Sequence, residues 1–133
     1  MESRPAIVFF SKSNEIFEII PEECYSRWRF HLISSDNPSA ALNAIENISL
    51  LIVDTYSLTI RFLEKLMSTE MGANTPILVL DNYEEEILID ELLNRGVKGY
   101  LLVHAFGAEL ERTIGYLLEG KHYRTKMLEQ KNY

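Results

Sequence analysis

The sequence is poor in cysteine, in basic residues and in long apolar runs, and each deficit excludes a class of protein. Cys24 is the only cysteine among the 133 residues, so an intramolecular disulfide is impossible and a reducing compartment is predicted. The first apolar run, residues 6–10, is too short for a signal-peptide core or a membrane span, so we expect a cytoplasmic protein outside the membrane. The 13 basic and 20 acidic side chains give a net charge of −7, which argues against nucleic-acid binding by the domain.

Length and composition predict one compact domain followed by a short basic tail. Hydrophobic residues make up 47% and charged residues 25%, the balance of a globular domain that folds without a disulfide or a metal. We place the domain at residues 1–120 and a tail, or the start of a linker, at residues 121–133. This tail is either a solvated helix end or a surface for an anionic partner. Its charged residues are Lys121, Arg124, Lys126 and Lys131 against Glu129.

Five short apolar runs predict the strands of a sheet. They are residues 6–10, 29–33, 50–53, 77–80 and 99–103. The first, third and fourth are continuously apolar, which is typical of strands covered on both faces. Longer segments with helical character separate the runs, and this alternation indicates a parallel sheet with right-handed crossovers. We therefore predict an α/β domain: a flavodoxin-like, doubly wound sheet of five parallel strands in the order 2-1-3-4-5, with about five helices.

Local signals predict where the helices begin and end. Pro21 lies within the first helical segment, residues 14–25, so we expect a kinked or shortened helix there. Asp36 or Asn37 can cap a helix that opens near Pro38. Each later helix is expected to end at a residue that disfavours helix. These ends are Gly72 and Pro76 after residues 58–71, Gly96 after residues 84–95, and Gly120 after residues 108–118.

In such a sheet the functional site lies at the carboxyl ends of the strands, near the point where the strand order reverses. The predicted fold therefore directs attention to the residues that follow each strand. These are Ser11-Lys12-Ser13, Asp54-Thr55-Tyr56, Asp81-Asn82 and Val103-His104.

Three motifs at these positions resemble one known family. Residues 96–102 read Gly-Val-Lys-Gly-Tyr-Leu-Leu and are followed by Glu109 and Leu110; residues 51–54 form an apolar strand ending in Asp54; residues 75–80 read Thr-Pro-Ile-Leu-Val-Leu. In this register, over about residues 6 to 120, the chain resembles the receiver domain of response regulators. The first motif is similar to receivers attached to LuxR-type helix-turn-helix domains, and this implies a signalling role.

The resemblance implies a phosphorylation site from which most supporting residues have gone. Asp54 stands at the position that accepts the phosphoryl group in the family. The acidic pair that helps to hold Mg²⁺ is replaced by Ser11 and Lys12, although Mg²⁺ prefers oxygen ligands. Asp81 stands where the family has a Ser or Thr that binds the phosphate. Val103 stands where it has a Lys that pairs with it. We therefore expect no Mg²⁺ and no other cofactor.

Two further expectations concern this altered site. Lys12, Asp54 and Asp81 are predicted to meet at one sheet edge, where the ammonium of Lys12 would replace the metal ion and hold the domain in one state. Tyr100 stands at the family's switch-aromatic position, and its ring turns inward in ordinary receivers when the phosphate pulls the Ser or Thr. Because that hydroxyl is lacking, we interpret Tyr100 as a half-buried strand aromatic.

The leading functional hypothesis is a non-enzymatic receiver that acts by protein–protein contact, independently of phosphorylation. In the family's terms the contact surface is helix 4, strand 5 and helix 5, or helices 1 and 5, and the partner is another protein or a second copy. The chain would then be part of two-component signalling, either by itself or as the N-terminal part of a transcription regulator. The alternative is a working phosphoacceptor, phosphorylated on Asp54 by a histidine kinase.

Other classes of function find less support in the sequence. Residues 11–14 faintly resemble a flavin phosphate loop but contain no glycine for close backbone approach. His104 has no partner at metal-ligand spacing, because His31 and His122 lie elsewhere in the sequence. Trp28 and Cys24 are interpreted as packing residues. A small-molecule ligand in the altered pocket stays open.

Overall fold

A computed structural model of the chain describes residues 4–34, 38–55, 58–81 and 86–124. The strands are β1 (Ala6–Phe10), β2 (Arg29–Ile33), β3 (Ile48–Asp54), β4 (Ile77–Asp81), β5 (Gly99–Leu102) and β6 (Tyr123–Arg124). The α-helices are α1 (Glu15–Glu18), α2 (Pro38–Leu42), α3 (Ile60–Met67), α4 (Glu70–Asn74), α5 (Glu86–Asn94) and α6 (Phe106–Leu118). Short 3₁₀ helices span Glu22–Ser26 and Val103–Ala105.

All pairs of neighbouring strands are parallel, and the sheet order is β2-β1-β3-β4-β5-β6. The predicted flavodoxin-like order 2-1-3-4-5 is therefore confirmed. The sequence did not predict β6, which follows α6 and adds a sixth strand beside β5. None of the helices within the described residues is long and apolar enough to cross a membrane.

Two hydrophobic clusters cover the two faces of the sheet, as the continuously apolar strands predicted. The first contains Ile7 and Phe9 of β1 and packs against α1, Cys24, Trp28 and α6. The second contains Val8 and Phe10 of the same strand and packs against α2, α3 and α5. Every residue of β1 is consequently buried. Cys24 and Trp28 lie within the first cluster, so their interpretation as packing residues is confirmed.

The turns confirm most of the predicted helix ends. Pro21 separates α1 from the 3₁₀ helix Glu22–Ser26, because proline supplies no amide to continue the helix. Gly96 and Gly120 follow α5 and α6 with φ of 111° and 84°, the left-handed conformation that glycine adopts without a Cβ penalty. The predicted caps Asp36 and Asn37 lie outside the described residues.

The single helix predicted over residues 58–71 is wrong, because two helices meet at Ser68 and Thr69. The hydroxyl of Thr69 donates to the Leu66 carbonyl at 2.6 Å and accepts from the amide of Gly72 at 2.9 Å, so it caps the second helix. Gly72 lies inside α4 rather than ending a helix. A Cβ at this position would overlap the backbone carbonyl of Leu66, so glycine permits α4 to pack on α3.

Replacing Gly72 by Ala is expected to lower the free energy of unfolding by about 2 kcal/mol, because the added methyl has no space beside the Leu66 backbone. Gly115→Ala in α6 is the matched control, since nothing lies within 4 Å of its Cβ position. It should leave stability unchanged or raise it by up to about 1 kcal/mol. Urea titration followed by circular dichroism measures both, and equal effects would contradict this account of the helix break.

His31 on the edge strand β2 is expected to make stability depend on pH. Its Nε2 is buried and has no hydrogen-bond partner within the described ranges. Burial, and secondarily the charge of Arg29, lower the pKa of His31 below its ordinary value near 6.5. The folded state therefore favours the neutral ring of His31. The part of the folding stability that depends on this neutral ring is fully present above pH 6.5.

Stability is accordingly expected to fall as the pH is lowered below 6.5, because the unfolded chain binds a proton that folded His31 resists. His31→Gln should flatten this part of the pH profile. His122→Gln, at an exposed site, should leave the profile unchanged. Thermal denaturation between pH 7.5 and about 5 tests this expectation, and an unaltered slope in His31→Gln would refute it.

Candidate functional site

The carboxyl ends of three adjacent strands bring the predicted site residues to one edge of the sheet. Ser11 follows β1, Asp54 ends β3, and Asp81 ends β4. Asp54 lies in register with Leu80, and both the amide and the hydroxyl of Thr55 donate to the Leu80 carbonyl, at 3.0 and 2.7 Å. The two aspartates therefore end neighbouring strands, and backbone hydrogen bonds hold their relative positions.

Ser11 holds the carboxylate of Asp54. Its hydroxyl donates to Asp54 Oδ2 at 2.8 Å, and both side chains are fully buried. The amide of Ser13 donates in turn to the Ser11 hydroxyl oxygen at 3.1 Å. Where the family has an acidic residue that would face a metal ion, this chain has a neutral donor that satisfies the aspartate directly.

Asp81 and Tyr100 form a second pair. The phenol of Tyr100 donates to Asp81 Oδ2 at 2.8 Å. Tyr100 is fully buried and packs in the cluster that includes residues of α3 and α5. The expectation of a half-buried ring is wrong, because a carboxylate at position 81 gives the phenol an acceptor inside the protein and removes the cost of burying it.

The other predicted positions lie around these two pairs. Lys12 follows Ser11, and its side chain is exposed at the same edge. Val103 is half-buried, opens the 3₁₀ helix after β5 and packs against the cluster containing α6. His104 beside it is exposed. Tyr56 and Asn82 lie outside the described residues. A bridge from Lys12 to both carboxylates remains a prediction.

The residues at this edge do not fit the Mg²⁺ site that the family resemblance implies. Mg²⁺ is held by several hard oxygen ligands, chiefly carboxylates. Here the positions beside Asp54 carry a hydroxyl and an ammonium, and the hydroxyl of Ser11 already donates to Asp54. In the part of the chain that the structure describes, no three His, Cys, Asp or Glu side chains are grouped so that they could hold a metal ion.

The sequence placed Ser11, Asp81 and Tyr100 at the site but predicted Lys12, and not the hydroxyls of Ser11 and Tyr100, as the partner of the two aspartates. A signal was nonetheless present. A buried strand end that carries a carboxylate needs a donor, and the neighbouring strands offered Ser11 and Tyr100 for Asp54 and Asp81. Matching each aspartate with a hydroxyl on an adjacent strand predicts both pairs.

Cys24 does not form part of this site. Burial, followed by the nearby charges of Glu111 and Glu23, raises the pKa of Cys24 to about 11, so the thiol stays protonated and unreactive at neutral pH.

A cavity of about 660 Å³ opens at the opposite, amino edge of the sheet, beside Ile48, Pro76 and Lys98. It is lined by none of the predicted site residues.

Comparison with known proteins supports the resemblance through the fold. The sequence matches no protein-family model and no curated protein. The structure is similar to the non-phosphorylated receiver domain of the stress response regulator RcsB from Escherichia coli, with a TM-score of 0.72, 14% identity, and coverage of 92% of this chain and 99% of that one.

Two LuxR-family regulators have similar structures. A two-component response regulator from Aurantimonas sp. SI85-9A1 matches with a TM-score of 0.74 at 14% identity, over 96% of this chain and 94% of that one. A DNA-binding response regulator from Silicibacter pomeroyi matches with a TM-score of 0.72 at 18% identity, over 91% and 96%. The fold is therefore that of response-regulator receiver domains, including LuxR-type ones, as the motifs predicted.

Removing the phenol of Tyr100 is expected to destabilise the protein. Tyr100→Phe leaves the buried Asp81 carboxylate without this donor and should lower the free energy of unfolding by about 2 kcal/mol. Tyr116→Phe is the matched control, since Tyr116 is 41% exposed, and its effect should stay within about 0.5 kcal/mol. Chemical denaturation measures both variants, and a silent Tyr100→Phe would show that the pair contributes no net stability.

Proposed function

We propose that this chain is a receiver-type signalling domain that stays in one conformation, works without phosphorylation of Asp54, and acts by binding another protein. The observation that carries the proposal is the hydrogen bond from Tyr100 to Asp81. In ordinary receivers the aromatic ring turns inward when a phosphorylated site draws in a Ser or Thr. Here the carboxylate of Asp81 occupies that position and accepts a hydrogen bond from the phenol inside the protein. The ring can therefore stay inward without a phosphate on Asp54.

The surroundings of Asp54 support the same proposal. Catalysis of phosphoryl transfer depends almost entirely on positioning and on neutralising the charge of the transferred group. Asp81 adds negative charge close to where a phosphoryl group would sit, and Val103 supplies no cation. Lys12 at this edge disfavours a second cation, and in our proposal its ammonium takes the place of the metal.

Protein binding is the output that a receiver fold offers when phosphorylation is lost. The candidate surfaces are the family's helix 4, strand 5 and helix 5, which are α5, β5 and α6 in this chain, or its helices 1 and 5, which are α1 and α6. The partner is another protein or a second copy of the chain. The domain itself would bind neither membrane nor nucleic acid and would work in the cytoplasm as a non-enzymatic module. Its likeness to LuxR-family receivers favours a place in transcription regulation.

The competing function is a working phosphoacceptor. One observation favours it: Asp54 is retained at the carboxyl end of β3, at the family's position for the acceptor. That aspartate is fully buried and already accepts a hydrogen bond from the hydroxyl of Ser11. A phosphoryl donor would have to displace this contact without the help of the family's Mg²⁺ ligands, so we rank this function second.

Incubation with acetyl phosphate and Mg²⁺, followed by intact mass measurement, separates the two functions. The natural chain should gain no phosphoryl group. A variant carrying the family's residues should gain one, because charge neutralisation and phosphate contacts are restored. Its substitutions are Ser11→Asp, Lys12→Asp, Asp81→Thr and Val103→Lys.

Adding Asp54→Ala to the four substitutions is the control and should abolish the gain. Circular dichroism confirms that both variants fold. Stoichiometric phosphorylation of the natural chain, lost in its Asp54→Ala variant, would overturn the proposal. A folded fourfold variant that stays unmodified would show that the four altered residues are not what keeps Asp54 unphosphorylated.

A further inference from the structure

The strand β6 occupies the edge of β5 and is the feature least expected from the sequence. Gly99 pairs with Tyr123 and Tyr100 pairs with Arg124, and the amide of Tyr123 donates to the Lys98 carbonyl at 3.1 Å. β5 has only four residues, and it lies between β4 on one side and β6 on the other. The backbone of Tyr100 is therefore held from both sides.

The side chain of Tyr123 anchors β6 to α6. It is 6% exposed and its phenol donates to Glu109, while Arg112 donates to the phenol oxygen at 3.4 Å. Its ring packs edge-on against Tyr116, with 5.7 Å between ring centroids. Burial and the hydrogen bond to Glu109 raise the pKa of Tyr123, so the phenol remains a neutral donor.

The turn from α6 into β6 depends on Gly120. This residue has φ of 84°, and the amide of Lys121 returns to the Tyr116 carbonyl at 3.0 Å. Such a glycine-dependent helix end turns the chain back sharply. In this domain the turn directs β6 along β5. Nothing lies within 4 Å of a Cβ built at this position, so the backbone angle rather than packing requires glycine.

Among the described residues, the contacts that β6 makes besides those of Tyr123 are weak, which favours reversible docking. Arg124 lies 3.8 Å from Asp90 of α5, a surface pair of small energy. Arg124 Nε is buried without an acceptor in the described part of the chain, which costs stability. A cavity of about 220 Å³ remains beside Leu93, His122 and Tyr123. Within the described residues the strand comprises Tyr123 and Arg124.

We propose that β6 is a clasp that docks reversibly on β5, and that its docking and the hydrogen bond from Tyr100 to Asp81 stabilise each other. The link is β5 itself, because the Tyr100 backbone pairs with Arg124 while its side chain contacts Asp81. The conformation at the candidate site is thereby coupled to the segment that follows α6. This coupling holds whether or not Asp54 is ever phosphorylated.

The coupling has to pass through the backbone, because the two tyrosine side chains lie in different clusters. Tyr100 packs in the cluster with α3 and α5, and Tyr123 packs in the cluster with α6. Gly99 is the close contact between β5 and α6, since a Cβ there would meet Leu117 and Leu78 at 2.9 Å. A shift of β5 would therefore displace both α6 and the docked strand.

Amide hydrogen exchange on the full chain tests the coupling. In Tyr100→Phe the protection of the Tyr123 amide should fall about fivefold, at the lower end of typical couplings between sites. Tyr116→Phe should leave that protection unchanged. Unchanged protection of the Tyr123 amide in Tyr100→Phe would overturn the proposal.

A double-mutant cycle gives an independent reading. Tyr100→Phe and Tyr123→Phe should be non-additive in the free energy of unfolding, whereas Tyr100→Phe and Tyr116→Phe should add. Gly120→Ala strains the turn without touching either tyrosine and should also lower the protection of the Tyr123 amide, while Gly115→Ala should not. Additivity of the first pair, or a silent Gly120→Ala, would contradict the clasp.

Discussion

The central strands of a parallel sheet that is covered on both faces are buried on both sides, and this constraint governs the molecule. The strands β1 and β4 are buried at every residue, so their interiors are apolar on both sides. At the carboxyl ends of β1, β3 and β4 the polar side chains Ser11, Asp54 and Asp81 are still buried. Because a buried carboxylate is costly unless it is hydrogen-bonded, Asp54 and Asp81 each require a donor from a neighbouring strand. Ser11 and Tyr100 supply these donors.

The exchange of a hydroxyl for a carboxylate at position 81 has consequences beyond one contact. In the receivers that this chain resembles, a hydroxyl at this position moves toward the bound phosphate and leaves space for the aromatic ring. A carboxylate repels a phosphate and instead accepts the phenol of Tyr100. In our proposal this carboxylate disfavours phosphorylation and holds the ring inside the protein, so that the domain stays in one state.

On its other side, β5 pairs with β6 in the C-terminal part of the domain. Tyr100 is held by Asp81 through its side chain and by Arg124 through its backbone, so β5 links the candidate site to β6. Tyr123 and Glu109 join that strand to α6. In our proposal this added strand couples the candidate site to α6.

The sequence by itself determined the features that depend on neighbouring residues or on periodicity. Short apolar runs specified the five strands, and the continuously apolar runs of β1, β3 and β4 specified their burial on both faces. Pro21 interrupted the first helix, and Gly96 and Gly120 ended later ones. Tertiary structure decided what depends on residues distant in the chain. The break between α3 and α4 needs the Leu66 backbone against Gly72, the full burial of Tyr100 needs Asp81, and β6 exists because β5 offers an open edge. Each of these arises from a contact made after folding, which no local pattern encodes.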